Sequence, residues 1–174
     1  MLFRSLAGHK AEEVTWFDSS TGAWATSNYY APLPFVYDFA LEHPVKEDLG
    51  KTWEAALSTS EYLYPNAAFG AVPPDGWGPS LPHALRAKDN GTNPDRTFYQ
   101  QWQASPFSDV YLERLAEASV EALALGQRDA TDFLGISLSA LDYAGHAYGP
   151  RSQDRKSTRL NSSHIQKSRM PSSA

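Results

Sequence analysis

An aspartate and a histidine near the end of the sequence have the residue types and the spacing of a metal site. Asp142 and His146 are separated by three residues within the stretch LDYAGHAYGP. At this spacing a carboxylate oxygen and an imidazole nitrogen can reach one divalent ion from a tight turn or a first helical turn, and such donors suit zinc. The spacing alone occurs often by chance, so a polar loop with a surface histidine is the alternative interpretation.

The residues before this pair predict a buried parallel strand. The run DFLGISLS, residues 132–139, is short, apolar and bounded by polar residues, as such strands are. Ligands of open α/β sheets bind beyond the carboxyl ends of the strands, where Asp142 to Gly149 would lie. Gly145 allows close backbone approach, and Pro150 after Gly149 turns the chain away. The position therefore favours a binding site over a chance match.

The upstream segments predict a hairpin followed by several helices. Residues 12–30 alternate around a turn at 19–22, which is typical of a β-hairpin. Residues 31–43 have apolar residues at helical spacing after two prolines. We further expect a short helix capped by Thr52, an irregular aromatic-rich segment over 61–93, a helix opening at Asn93-Pro94, and a longer helix capped by Ser108 and ended near Gly126.

The complete string DFLGISLSALDYAGHAYGPRSQ resembles the metal-ligand loop of the alkaline phosphatase superfamily. It is most similar to the type I phosphodiesterase/nucleotide pyrophosphatase branch and to the phosphate-irrepressible alkaline phosphatases. The family pattern is a strand followed by S-x-x-D-x-x-G-H-x-x-G-P-x-S. Every fixed position is filled here, by Ser139, Asp142, Gly145, His146, Gly149, Pro150 and Ser152. The stretches DSSTGAWATSNYYAPLP and FYQQWQASPFSDVYLERLAEASVEALALG also resemble this family.

The resemblance implies a fold and an activity. The fold would be a partial α/β alkaline phosphatase-like fold, with a parallel strand, helices and an irregular aromatic-rich cap segment. The activity would be that of a zinc-dependent phosphoric ester hydrolase acting through a covalent phospho-enzyme, with a periplasmic or secreted location. Asp142 and His146 would bind one of two zinc ions. The Thr or Ser nucleophile would lie upstream of this sequence, so we expect this chain alone to be inactive.

Two alternatives to this function stay open. A sulfatase-like or phosphomutase-like member of the same superfamily would share the metal loop. A non-catalytic, aromatic-rich carbohydrate-binding module would explain the 13% aromatic content without any catalytic site. The sequence does not distinguish a monoesterase from a diesterase.

The two ends of the sequence differ in character from the residues between them. Residues 154–174, DRKSTRLNSSHIQKSRMPSSA, are basic and serine-rich, and they resemble the translation of a sequencing-library adapter. The string LFRS within residues 1–5 resembles the opposite adapter. We therefore expect 1–5 and 154–174 to be adapter-derived, with 154–174 disordered, and 6–153 to be a fragment of an alkaline phosphatase-like domain.

Composition excludes several other kinds of site. A net charge of −5 gives no support to a nucleic-acid-binding surface. The sequence contains no cysteine, which excludes disulfides and thiolate metal sites. No apolar run approaches the roughly 18 residues of a membrane helix, so we expect no membrane segment in this sequence.

Overall fold

The computed structural model describes residues 11–66 and 69–165, without the side chains of 162–165. In this part of the chain helices pack around two small sheets. The regular elements are β1 (Trp16–Asp18), β2 (Ala23–Ala25), α1 (Pro34–Glu42), β3 (Thr52–Trp53), β4 (His83–Ala84), α2 (Arg96–Gln103), α3 (Pro106–Ala122), α4 (Ala140–Tyr148) and α5 (Gln153–Ile165). Short 3-10 turns lie at Val45–Asp48, Thr59–Glu61 and Lys88–Asn90. Among the described helices, none is long and apolar enough to cross a membrane.

The predicted N-terminal hairpin is confirmed. Strands β1 and β2 pair antiparallel, with Trp16 opposite Ala25. In the turn, the Asp18 carboxylate accepts hydrogen bonds from the Ser20 amide at 2.9 Å and the Ser20 hydroxyl at 2.6 Å. Gly22 has a φ of +76°, a backbone conformation that glycine adopts without strain.

The helix predicted over 31–43 is also confirmed, as α1. Pro34 stands at its first position, where the missing amide hydrogen costs nothing and the fixed φ suits a helix. Val36 is buried in the hydrophobic core and packs this helix against it.

Both predicted caps of the next two helices are wrong in position. Helix α2 begins at Arg96, and Asp95 caps it because its carboxylate accepts a hydrogen bond from the Phe98 amide at 3.0 Å. Asn93 therefore lies outside the helix. Helix α3 begins at Pro106 rather than after Ser108.

The earlier start of α3 follows from the proline. A residue before proline is driven out of the helical region, and Ser105 is extended with φ −107° and ψ 160°. Pro106 then opens the helix. Ser108 lies inside it and its hydroxyl donates to the Ser105 carbonyl at 2.9 Å, so the residue predicted as a cap is a first-turn residue.

The short helix predicted to start at Thr52 does not form. Thr52 and Trp53 instead make strand β3, which pairs antiparallel with Ala84 and His83 of β4. Trp53 is 2% exposed. Burial of this large side chain outweighs the weak local helix preference of TWEAALSTS.

The predicted strand over 132–139 is wrong as well. These residues carry no strand pairing, and each sheet in the described part of the chain is a two-stranded antiparallel pair. A parallel strand must share its backbone hydrogen bonds with neighbours. Without such neighbours here, Phe133 is 94% exposed.

The C-terminal segment is ordered further than predicted. Residues 153–165 form helix α5, which packs against α3 and α4. The expected disorder of 154–174 is therefore wrong for 154–165. Residues 166–174, like 1–10, lie outside the described residues. The adapter origin of both ends stays a prediction.

Candidate metal site

Helix α4 sets the orientation of the two proposed ligands through its buried face. Ala140, Ala144 and Tyr148 follow one another at intervals of four residues, and all three are at most 3% exposed. Side chains at this spacing share one face of a helix. Because that face is packed against the core, Asp142 and His146 are left on the outward face. Their side chains are 70% and 80% exposed.

The two ends of α4 are fixed by backbone hydrogen bonds. The amides of Asp142 and Tyr143 donate to the Ser139 carbonyl, each at 3.1 Å. At the other end Gly149 has φ +83°, and its amide donates to the Gly145 carbonyl at 2.9 Å. Glycine after the last helical residue is a common helix stop. Gly149 of the motif thus ends the helix that carries both proposed ligands.

The donor atoms of the pair lie close together. Asp142 Oδ1 and His146 Nε2 are 3.5 Å apart. Two donors bound to one tetrahedral zinc at about 2.0–2.2 Å lie about 3.3–3.5 Å from each other. The oxygen–nitrogen pair therefore fits two corners of a zinc coordination shell as it stands in the structure.

A cavity of about 260 Å³ opens beside the pair. It is lined by Leu138, Leu141, Asp142, Gly145, His146 and Arg155. Such a volume leaves room for an ion and a small group bound to it.

Arg155 is the residue of this cavity that the sequence analysis missed. It lies in the first turn of α5, within the segment expected to be disordered. A Cβ atom added to Gly145 would lie 3.3 Å from the Arg155 Nε. Arg155 thus passes directly over Gly145, beside both proposed ligands.

Two tyrosines of α4 have pKa values raised by their surroundings. Burial raises the pKa of the Tyr143 phenol, and the negative charge of Asp142 adds to the effect. Burial raises the pKa of Tyr148 far above its usual range, with a further contribution from the Asp154 carboxylate. Both phenols therefore stay neutral over the physiological pH range.

The described residues supply two candidate ligands and not a complete site. They hold no cluster of three or more His, Asp or Glu side chains that could bind a metal ion. His43 packs edge-on against Phe39, and His83 is buried against Asp154. His9 lies outside the described residues. Structural zinc sites commonly have four protein ligands and catalytic ones three, so further ligands would have to come from elsewhere.

The hydroxyls of Thr26 and Ser27 are engaged in local hydrogen bonds. Thr26 donates its hydroxyl hydrogen bond to the Val14 carbonyl at 2.6 Å, as part of the hairpin. Ser27 Oγ accepts from the Tyr29 amide at 3.2 Å. Both side chains serve the local backbone.

Most of the tryptophan side chains lie in the core and do not form a flat binding surface. Four of the tryptophans are 8% exposed or less: Trp24, Trp53, Trp77 and Trp102. A carbohydrate platform presents such rings to solvent, whereas these stabilise the interior. Their burial argues against the carbohydrate-binding alternative.

Comparison with known proteins identifies relatives of this chain, although no protein-family model matches it. The chain is 29% identical to "Alkaline phosphatase PafA" of Elizabethkingia meningoseptica over 88% of its own length and 28% of that protein. It is 29% identical to "Alkaline phosphatase PhoV" of Synechococcus elongatus, with the same coverage. It is 30% identical to a protein of Myroides odoratus named "Calcium-transporting ATPase", again over 88% and 28%. The chain thus spans less than a third of the length of these relatives.

A comparison of folds also identifies an alkaline phosphatase as similar to this chain. A crystal structure of wild-type alkaline phosphatase PafA superposes on 91% of this chain with a TM-score of 0.70 and 25% sequence identity, covering 31% of that protein. The helices and small sheets described above are therefore part of an alkaline phosphatase-like α/β fold. In sequence and in fold, this chain belongs to the alkaline phosphatase superfamily.

Proposed function

We propose that this chain is part of a zinc-dependent phosphoric ester hydrolase in which Asp142 and His146 hold one metal ion. The observation that carries the proposal is the 3.5 Å separation of Asp142 Oδ1 and His146 Nε2. Two relatives named alkaline phosphatases support the reaction class. The whole enzyme would act on phosphate esters through a covalent phospho-enzyme and would be periplasmic or secreted.

Zinc bound at this pair would supply Lewis-acid stabilisation of the charge on a transferring phosphoryl group. The role of the chain's own residues is to present the donors in a fixed arrangement. Asp142 contributes an anionic oxygen and His146 a ring nitrogen. Both are carried by a helix whose opposite face is locked in the core by Ala140, Ala144 and Tyr148. A ligand pair on a packed helix loses little freedom when the ion binds.

The described residues do not contain all the parts that this reaction needs. Phosphoryl transfer to an enzyme group requires an activated nucleophile, and the sequence offers no stretch that resembles the family's nucleophile. We therefore expect purified protein to show no hydrolysis of p-nitrophenyl phosphate above a His146→Ala variant. Measurable turnover above that variant would contradict the expected inactivity.

Zinc binding tests the proposed ligands directly. Calorimetric titration of zinc into the protein should show weak binding that Asp142→Asn abolishes, because this change removes the anionic donor. Asp38→Asn is the matched control, since Asp38 is an exposed aspartate on α1, away from the cavity. If Asp142→Asn binds zinc as well as the unchanged protein does, the proposed ligand pair is wrong.

A further inference from the structure

The cavity beside the proposed ligands contains a cation supplied by the chain itself. Arg155 lines the same cavity as Asp142 and His146. Its Nε and Cδ atoms lie 3.3 Å and 3.5 Å from the place that a Cβ on residue 145 would occupy. Glycine at 145 therefore leaves the space that the arginine side chain crosses.

The guanidinium is not neutralised by a close ion pair. Among the described residues, no carboxylate oxygen lies within 4.0 Å of its nitrogens, whereas other ion pairs of the chain meet this limit. Its positive charge consequently acts through space on whatever occupies the cavity.

The backbone of Arg155 is held in place because neighbouring residues of helix α5 are bonded to distant parts of the chain. The neighbouring Asp154 pairs with His83 at 2.6 Å, and Ser157 Oγ is hydrogen-bonded to the Tyr62 hydroxyl at 2.7 Å. Gln153 Nε2 donates to the Tyr64 carbonyl at 2.8 Å.

These bonds tie the first turns of α5 to residues about ninety positions earlier in the chain. The arginine cannot leave the cavity by movement of the helix unless these contacts break. Only rotation of its own side chain can move the charge away.

We propose that Arg155 opposes metal binding at the Asp142–His146 pair, so that helix α5 lowers the zinc affinity of this site. The inference rests on the proposed function, because it takes that pair as the metal ligands. It is a property of this chain, whose residues 154–174 are predicted to be adapter-derived. A positive charge beside a site for a divalent cation raises the free energy of the bound state. The effect is partly screened, since the ligands are exposed.

Zinc titrations of charge variants of Arg155 test the inference. Arg155→Gln removes the charge and keeps most of the side-chain length, and it should tighten zinc binding by about threefold to tenfold at low salt. Arg155→Lys keeps the charge and should bind zinc as the unchanged protein does. The gain for Arg155→Gln should shrink as the salt concentration rises, because ions screen the repulsion.

Two further variants separate this inference from the proposed function. Arg159→Ala removes an exposed arginine from the same helix and should leave the affinity unchanged. The double variant Arg155→Gln with Asp142→Asn should bind no zinc, because it lacks one of the two proposed ligands. If Arg155→Gln binds no more tightly than Arg155→Lys while Asp142→Asn abolishes binding, the ligand pair stands and the inference is wrong. If Asp142→Asn leaves the zinc affinity unchanged both in the unchanged protein and in Arg155→Gln, the proposed ligand pair is wrong. The inference about Arg155 is then wrong as well, because it takes that pair as the metal ligands. Circular dichroism of each variant verifies that the fold is kept.

Discussion

His83 Nε2 and Asp154 Oδ1 are 2.6 Å apart, and both side chains are almost completely excluded from solvent. The His83 ring is stacked on both Trp77 and Tyr148, with centroids 4.7 Å and 5.0 Å away. This contact joins strand β4 to helix α5 across 71 residues of sequence. The stacking of the His83 ring on Tyr148 connects this contact to the last residue of α4, the helix that carries the proposed metal ligands.

Removal of the carboxylate should destabilise the protein strongly. Asp154→Ala leaves the buried His83 ring nitrogen without its hydrogen-bond partner, and a buried polar group left unsatisfied costs about 1–3 kcal/mol. Urea denaturation followed by tryptophan fluorescence measures the change in the free energy of unfolding. Asp129→Ala, at an exposed position, should change it by less than about 0.5 kcal/mol. An equally small effect of Asp154→Ala would show that the pair does not stabilise the fold.

Hydrogen exchange should distinguish α5 from the irregular segment before α4. The amides of residues 157–161 lie in a helix packed against α3 and α4, so they should exchange slowly. The amides of 131–138 lie in a segment without strand pairing and should exchange faster. Exchange of 157–161 as fast as that of 131–138 would support the original expectation of an unpacked C-terminal segment.

Alanine at position 22 should destabilise the hairpin for two separate reasons. Gly22 has φ +76°, and an added Cβ would lie within 2.5 Å of three atoms of the Tyr99 ring. Positive φ costs a side-chain residue about 1–2 kcal/mol, and overpacking adds about 1–3 kcal/mol. Gly50→Ala is the control, because Gly50 has φ +89° and open space around it. Thermal unfolding should show a larger loss for Gly22→Ala; equal losses would contradict the clash with Tyr99.

The stability of the hairpin turn should depend measurably on pH. The Ser20 hydroxyl and amide hold the pKa of Asp18 below its ordinary value of 3.8. A lowered pKa in the folded state contributes stability above the unfolded pKa, and that contribution is lost as the pH falls through the folded pKa.

Ser20→Ala removes the hydroxyl donor and should raise the pKa of Asp18 toward 3.8. An NMR titration of the Asp18 carboxyl carbon measures the shift. Ser19→Ala, one residue away and without a bond to this carboxylate in the described turn, should leave the pKa unchanged. An unchanged pKa in Ser20→Ala would overturn the assigned cause.

Local sequence signals predicted the elements whose stabilising contacts are also local. The hairpin follows from alternation around residues 19–22, and α1 follows from Pro34 and apolar residues at helical spacing. Caps were less predictable, because Asn93, Asp95, Ser105 and Ser108 are all chemically able to cap a helix. Backbone geometry, such as the restriction before Pro106, selects among them.

The elements that failed depend on partners distant in sequence. Residues 132–139 have the composition of a buried strand, yet a strand forms only where neighbouring strands accept and donate its hydrogen bonds. Thr52 and Trp53 pair with residues some thirty positions later, which no local pattern reveals. Arg155 was not predicted as a site residue because the composition of the surrounding segment is typical of disorder. Only the contacts of α5 bring it to the cavity.

The sequence by itself determined the residue types and the spacing of the proposed metal-ligand pair, and with them the resemblance to the superfamily. Asp142 and His146 are four positions apart, so any helix there places both on one face. The tertiary structure decided which face that is, because burial of Ala140, Ala144 and Tyr148 turns the pair outward. It also decided that Arg155 lies beside the pair, through the His83–Asp154 contact that fixes α5. Spacing along a helix is a local property of the backbone, whereas burial and long-range pairing exist only once the chain has folded.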